Sequence, residues 1–175
     1  MAITPFVSFH HPVHDYALYT ETQAGTGQWR FDVGVNAGGR FPGALRNLTW
    51  QAGYAHSIMQ RTEPSDAPGR RVNHGTLSLE LAYLLNPDVA LRTNYVHRRT
   101  FNGLKFPDEF VLPPRGDQWA LHDQLFEWES GTASVGVDRR LGERYTLSTA
   151  WGRTVDLEWG HKYRRAFSIG ITRSF

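Results

Sequence analysis

Hydrophobic and polar residues alternate with a period of two through most of this chain. In residues 76–83, large apolar side chains alternate with polar or small ones: Leu77, Leu79, Leu81 and Tyr83 against Thr76, Ser78, Glu80 and Ala82. The same alternation recurs in residues 27–37, 48–59, 89–99, 133–137, 145–151 and 163–175. This period is typical of β-strands whose two faces meet different surroundings, and no segment carries a helical stripe. The pattern predicts an all-β, antiparallel protein.

The connections between these segments alternate between short and long. Residues 85–88 and 141–144 predict tight turns, whereas residues 60–74, 102–132 and 155–162 predict long polar loops. Residues 15–22 complete a set of eight strands. Residues 3–10 also alternate, so residues 1–14 form an arm, an extension of the first strand or an additional strand. Pro12 disfavours one uninterrupted central strand there.

The last strand has one apolar face and one small or polar face. Phe167, Ile169, Ile171 and Phe175 share one face, opposite Ala166, Ser168, Gly170, Thr172 and Ser174. This ending resembles the C-terminal signal of bacterial outer-membrane β-barrels, in which a terminal phenylalanine ends an alternating strand. The resemblance implies a location in the bacterial outer membrane and delivery by the periplasmic barrel-assembly machinery, which would bind the Phe175 strand. We therefore expect an antiparallel transmembrane β-barrel of about eight strands, or the C-terminal part of a larger barrel, with residues 1–175 as a single domain.

Composition narrows the function classes. The chain has 175 residues, a mean hydropathy of −0.47 and no apolar run near the roughly 18 residues of a membrane-spanning helix. Its 19 basic and 17 acidic residues give a net charge of +2, which argues against a nucleic-acid partner. The absence of cysteine excludes disulfides and thiolate metal sites, and no cofactor is expected. The first six residues lack the features of an export signal, so we expect either a removed signal or the C-terminal part of a longer chain.

Loop motifs in the second half resemble one outer-membrane group. Residues 101–107 (FNGLKFP), residues 121–124 (LHDQ) and the terminal residues 173–175 resemble the transporter-like proteins related to the MetA-pathway phenol-degradation family. The likeness covers about the last 100 residues. Members of that family are longer, with additional N-terminal strands. The resemblance implies uptake of small, often hydrophobic molecules.

Polar and charged residues fall on the face opposite the apolar one. They are Arg30, Asp32, Asn36, Gln51, Glu80, Arg92, Asn94, Arg98 and Asp138. In a barrel these side chains would line the lumen. Buried charges must pair, so a structural network is the first interpretation, and a polar lining that selects permeants is the second. Acid–base catalysis by Glu80 is a third, and no catalytic residue is predicted.

Two histidine patterns are candidates for chemistry. His10, His11 and His14, followed by Asp15, would need three or four convergent ligands to hold a metal, and we expect solvated histidines and no metal site. Ser8 and His10 share a strand face, and Glu21 could supply a carboxylate. A serine hydrolase would need a defined third member and an oxyanion hole, which the sequence does not identify.

The long loop at residues 102–132 is rich in aromatic residues and proline. It either packs upon itself as an external loop or folds inward as a lid, and the lid candidates are Trp119, His122, Asp123 and Trp128. Three functions remain open: porin-like passive transport of a small solute through the lumen, a membrane anchor or adhesin acting through its loops, and an acyl hydrolase acting on lipid. A soluble lipocalin-like barrel would place the apolar residues inward.

Overall fold

The structure, a computed structural model, describes residues 1–12, 28–65, 68–105, 121–158 and 162–174. These residues form one eight-stranded sheet in which every strand pairs antiparallel with its neighbour in sequence. The strands are β1 (Ala2–His10), β2 (Arg30–Arg40), β3 (Leu48–Met59), β4 (Asn73–Asn86), β5 (Val89–Phe101), β6 (Glu129–Leu141), β7 (Tyr145–Glu158) and β8 (Ala166–Arg173). The all-β antiparallel prediction is confirmed. Within the described residues β1 and β8 are the two edges of the sheet and do not pair with each other.

The first strand of the sheet is not the segment that the sequence analysis counted as one of the eight strands. The strand expected at residues 15–22 lies outside the described residues, and the first of the eight strands is β1, Ala2–His10. Pro5 is paired with Val35 of β2, and it fits here because an edge strand tolerates a residue without a backbone N–H. The strand at residues 133–137 was predicted too short. β6 begins at Glu129, inside the predicted loop, because Gly131 and Thr132 continue the ladder through a bulge.

Short connections gather at one end of the sheet and long ones at the other. The short-turn end carries the β4–β5 and β6–β7 turns and a 3₁₀ turn at Gly43–Leu45. Gly43 and Gly142 have φ values of +63° and +70°, the left-handed region that favours glycine in turns. Ala2 pairs with Gly38, and Arg173 pairs with Tyr145, so the start of β1 and the end of β8 lie at the same end as these turns. The opposite side is the loop end.

The apolar face of the sheet is the exposed one. Along β4, Leu77, Leu79 and Leu81 are exposed, whereas Ser78 and Glu80, which alternate with them, are partly buried. The exposed apolar face continues across the sheet through Val33, Val35, Tyr54, Leu91, Val135, Trp151, Phe167 and Ile169. A soluble lipocalin-like barrel would show the reverse arrangement. No helix in the described part of the chain is long and apolar enough to span a membrane.

One row of directly paired residues crosses the whole sheet. Its members are Ala2, Gly38, Gln51, Glu80, Asn94, Ser134, Gly152 and Ala166. The row joins the first residue of β1 to the first residue of β8, although these strands run in opposite directions. It therefore leaves β1 at the short-turn end and reaches β8 at the loop end. The strands are staggered by about one full strand length across the sheet.

A small hydrophobic core lies at the loop end rather than inside the sheet. Leu104, Leu121, Leu125 and Phe126 form this loop core, in which Leu125 is fully buried. Leu125 belongs to a four-residue helix, α1 (His122–Leu125). The backbone N–H of Leu104 donates to the carbonyl of Leu125 at 2.7 Å, and the N–H of Glu127 donates to the carbonyl of Leu104 at 2.9 Å. The described parts of the long loop are thus folded against each other.

Gly34 leaves room on the polar face of the sheet for the ring of Phe6, its partner on β1. A Cβ atom added to Gly34 would lie 2.5 Å from both the Phe6 ring and the carbonyl oxygen of Tyr54. Because the Tyr54 oxygen belongs to the backbone, the sheet itself would have to shift. We expect Gly34→Ala to destabilise the folded protein by about 1–3 kcal/mol, the usual cost of overpacking. The measurement is the temperature at which the folded band disappears on a semi-native gel.

Gly39→Ala is the matched control on the same strand, because a Cβ atom on Gly39 would have its nearest neighbours at 3.4 Å or more, which is ordinary van der Waals contact. The control should melt like the original protein. Equal melting of Gly34→Ala and the original protein would mean that Phe6 and β1 do not pack on Gly34.

Candidate functional site on the polar face

The structure places the predicted polar residues on one face of the sheet. Asp32, Asn36, Gln51, Glu80, Arg92, Asn94, Arg98 and Asp138 alternate with the exposed apolar residues, and Arg30 lies on the same face at the loop end of β2. They divide into a network around Arg92, nearer the short-turn end, and a cluster around Asp32 at the loop end. Asn36 and Gln51 lie between these groups.

Arg92 holds two carboxylates from neighbouring strands. Its Nη1 atom lies 3.6 Å from Oε2 of Glu80, and its Nη2 atom lies 3.2 Å from Oδ1 of Asp138. All three side chains are about one quarter exposed. The Oδ1 atom of Asn94, in the neighbouring row, is buried without a hydrogen-bond partner among the described residues. The mixed signs fit a charge-paired network better than a ring of one sign, the arrangement typical of strongly charge-selective filters.

Asp32 is the most enclosed carboxylate of the polar face, with 7% of its surface exposed. Its Oδ2 atom accepts a hydrogen bond from the Ser8 hydroxyl at 3.1 Å and lies 3.1 Å from Nε2 of His10. Its Oδ1 atom lies 3.1 Å from Nε of Arg30, and Ser57 adds a further hydrogen bond. The arrangement follows from the register, because Ser8, Asp32 and Ser57 are direct cross-strand partners.

Ser8, His10 and Asp32 meet, but they do not form a relay. The Nε2 atom of His10 lies 3.2 Å from the Ser8 hydroxyl and 3.1 Å from Asp32, so both contacts use the same ring nitrogen. In a serine-hydrolase triad the imidazole bridges the two groups through different nitrogens. Nη2 of Arg30 lies at 3.1 Å from the same atom. The cluster is therefore a polar network around a carboxylate and lacks the geometry of a nucleophilic site.

A second part of the loop-end cluster surrounds His74. This residue is the cross-strand partner of Ser57 and Thr100, and its ring packs edge-on against Trp128 with 5.9 Å between centroids. His74 lies within electrostatic reach of both Arg30 and Arg98. Arg98 is exposed and forms no ion pair with any described residue. The loop end of the polar face therefore carries an excess of cationic groups over carboxylates.

The long loop contributes Trp128 to this region. The backbone N–H of Trp128 donates to the Thr100 hydroxyl at 2.7 Å, and Thr100 is buried at the end of β5. Trp128 is therefore tied to the sheet and lies beside the polar face. Of the other lid candidates, Trp119 lies outside the described residues, and His122 and Asp123 lie in α1, where their side chains are not among those described.

Side-chain hydrogen bonds join several loops at the loop end of the sheet. The side-chain amide of Gln28 donates to the hydroxyl of Thr62, and that hydroxyl donates to Oε1 of Gln124 in α1 at 3.4 Å. Thr62 and Arg70 form a small bridge within the β3–β4 loop. Three separate loops thus meet through side-chain hydrogen bonds. Together with the loop core, these residues form a cap at the loop end.

Some of the residues predicted as candidates for a metal site or a serine site lie outside the described part of the chain. In the described part of the chain no group of three or more His, Cys, Asp or Glu residues could hold a metal ion. His14 and Glu21 lie outside the described residues, as does Phe175. The carboxylate beside Ser8 and His10 is Asp32, which sequence spacing could not identify, because the β1–β2 loop separates them by more than 20 residues.

Sequence reasoning also missed Ser57 and His74 as members of the loop-end cluster. Both sit at strand ends, where the alternation that marked the other polar positions becomes irregular. Only the cross-strand register brings them beside Asp32. In comparisons with known proteins, no family model, curated protein or solved structure matches the chain.

Proposed function

We propose that this chain forms a transmembrane β-barrel of the bacterial outer membrane that passively transports a small solute. The observation that carries the proposal is the exposed apolar face opposite a sheltered polar face. In water such a face would be costly, at roughly 25 cal/mol for each Å² of apolar surface. In a bilayer the same face meets hydrocarbon, and the polar face meets the lumen.

The height of the apolar face fits a membrane. On β4 the exposed apolar residues run from Leu77 to Leu85. At about 3.4 Å per residue this stretch is about 27 Å long, or about 21 Å high at a tilt near 40°. Outer-membrane barrels have an apolar band about 25 Å tall. Tyr83 and Tyr145 lie near the short-turn end of this band, where aromatic girdles are found.

The stagger of the sheet supports a barrel. Closure requires tilted strands and a fixed total displacement between the first and last strand. If closure paired Ala2 with Ser174, which lies at the same end of the sheet, the displacement from Ala166 to Ser174 would be eight residues, which is the shear known for eight strands tilted by about 36°. Closure in the membrane would also satisfy the backbone groups of both edges, which hydrocarbon does not tolerate unpaired.

The polar face has room for a small solute. Many of its side chains are small, and a cavity of about 260 Å³ across β6–β8 includes Thr132, Ser134, Ala150 and Ser168 in its lining. The cationic loop end favours a solute that carries a negative charge. Arg98 supplies an exposed guanidinium group there, and such a group binds carboxylates and phosphates through paired hydrogen bonds.

We expect Arg98→Glu to shift ion selectivity toward cations. The change replaces one positive charge with a negative one beside His74 and Arg30 at the entrance of the lumen. The measurement is the reversal potential of single channels in a salt gradient. Arg46→Glu, in the β2–β3 connection at the short-turn end, makes the same change in net charge away from this entrance. Equal reversal potentials in the two variants would contradict a selective role for Arg98.

The transport proposal is tested by refolding the chain into detergent and bilayers. A compact band that disappears on heating, together with steady single-channel conductance, is the expected result. A compact band without conductance would reject transport and favour the anchor or adhesin alternative. The absence of any compact band would reject a barrel formed by this chain alone.

A further inference from the structure

We propose that the apolar face carries a binding site for an anionic lipid that bears a phosphate group, with an acyl chain in a groove across β4–β7 and its phosphate on Arg153. This inference rests on the proposed membrane location and adds a defined ligand outside the lumen. Its elements are a groove of suitable chemistry, a cation at one end of that groove, and the position of this cation relative to the bilayer.

The groove is a cavity on the apolar face. It encloses about 420 Å³ and lies over Thr93 of β5 and Ala133 of β6. These short side chains form its floor, and larger apolar side chains form its walls: Leu79, Leu81, Tyr95, Val135, Trp151 and Val155. Leu81, Trp151 and Val155 are 47%, 44% and 50% exposed, so the groove opens on the outside of the sheet. Its walls match a hydrocarbon chain.

Arg153 provides the charged end of the groove. It belongs to the groove lining and is the cross-strand partner of Ala133. Its side chain is exposed, and it forms no ion pair with any described residue. An arginine on an otherwise apolar surface is costly in hydrocarbon unless it reaches the polar boundary or an anion.

The position of Arg153 along β7 places it at that boundary. Tyr145, at the short-turn end of the same strand, is separated from it by about 27 Å along the strand, or about 21 Å in height at a tilt near 40°. This height approaches that of the apolar band, so the guanidinium group lies at the loop-end boundary. A lipid phosphate occupies the same level, and a guanidinium group binds phosphate through two parallel hydrogen bonds.

The experiment is native mass spectrometry of the refolded barrel titrated with phosphatidylglycerol or phosphatidylcholine. We expect phosphatidylglycerol, which is anionic, to bind about fivefold more tightly than zwitterionic phosphatidylcholine, because one arginine beside anionic lipid contributes about 1 kcal/mol. Arg153→Ala should remove this preference, and Ala133→Phe, which fills the floor of the groove, should weaken both lipids. Arg139→Ala and Val137→Phe are matched controls on β6 outside the groove, and both should bind like the original protein.

Each other outcome overturns a stated part of the account. A refolded, heat-modifiable barrel without a preference for phosphatidylglycerol would overturn the lipid site and leave the transport proposal standing. If Arg153→Ala and Arg139→Ala lower the preference for phosphatidylglycerol equally, the preference depends only on the net charge of the protein. That result would also overturn the lipid site. A chain that forms no heat-modifiable barrel would overturn the proposed function together with the lipid site.

Discussion

Leu81→Arg should markedly destabilise the form of this protein that is inserted in a bilayer. Leu81 is exposed at the middle of the apolar stretch on β4, which runs from Leu77 to Leu85. If that face meets lipid, an arginine there destabilises the inserted barrel by about 2–4 kcal/mol, the cost measured at the bilayer midplane. The measurement is the fraction of heat-modifiable protein as a function of urea concentration after refolding into vesicles.

The control for this prediction is the same substitution at a different depth. Leu85 is exposed on the same face of β4, next to the short turn. Leu85→Arg should destabilise the inserted protein by only about 0–1 kcal/mol, because an arginine side chain reaches the lipid headgroups from this depth. In a soluble sheet both substitutions would be neutral or would improve solubility. Equal stability of the two variants and the original protein would therefore contradict lipid contact.

Leu125→Ala should open the cap without unfolding the sheet. Leu125 is fully buried among Leu104, Leu121 and Phe126, and truncation of such a side chain costs about 2–5 kcal/mol. This loss of stability is confined to the cap, because α1 and its partners lie outside the strand ladder. We expect faster cleavage of the loops by a protease and unchanged heat-modifiability of the refolded protein.

Leu45→Ala is the control, since Leu45 lies in the 3₁₀ turn at the opposite end and is 55% exposed. Its rate of loop cleavage should match that of the original protein. If Leu125→Ala also melts the barrel, the cap and the sheet form one cooperative unit. If it changes neither property, the loop core does not hold the cap together.

The alternation of side chains was sufficient to predict most of this fold. It identified strands β2 to β8, the face to which each residue belongs, and the gathering of the tight turns at one end. These features depend on local pattern, because successive side chains of a strand point to opposite sides. β1 was harder to predict, because residues 3–10 and residues 15–22 both alternate and Pro12 disfavours one uninterrupted central strand, so local pattern did not decide which segment is the first strand.

Contacts between distant residues could not be predicted in the same way. The pairing of Asp32 with Ser8, and of Arg92 with Glu80 and Asp138, depends on which residues face each other across strands. Register is set by the whole ladder and by loop lengths that sequence pattern does not fix to one residue. The loop core depends on tertiary contacts between residues 104 and 121–126, with no periodic signal in the sequence.

The two halves of the polar face suggest different roles. Around Arg92 the carboxylates are in excess and the charges are paired across three strands, so that neither sheltered carboxylate is left without a cation. Around Asp32 the cationic groups are in excess and Arg98 has no described ionic partner. For a chain that transports a solute as proposed, we therefore propose that the Arg92 network holds the sheet together and that the loop end selects the solute.

The most direct measurement is cysteine labelling along β4 in lipid vesicles. The chain contains no cysteine, so each single replacement provides a unique thiol. We predict that Leu77→Cys, Leu79→Cys and Leu81→Cys are protected from a membrane-impermeant maleimide. Ser78→Cys and Ala82→Cys, on the polar face, should react. Two results would contradict a barrel whose apolar face meets lipid. One is labelling of the three leucine replacements with protection of the other two, and the other is equal labelling at all five positions.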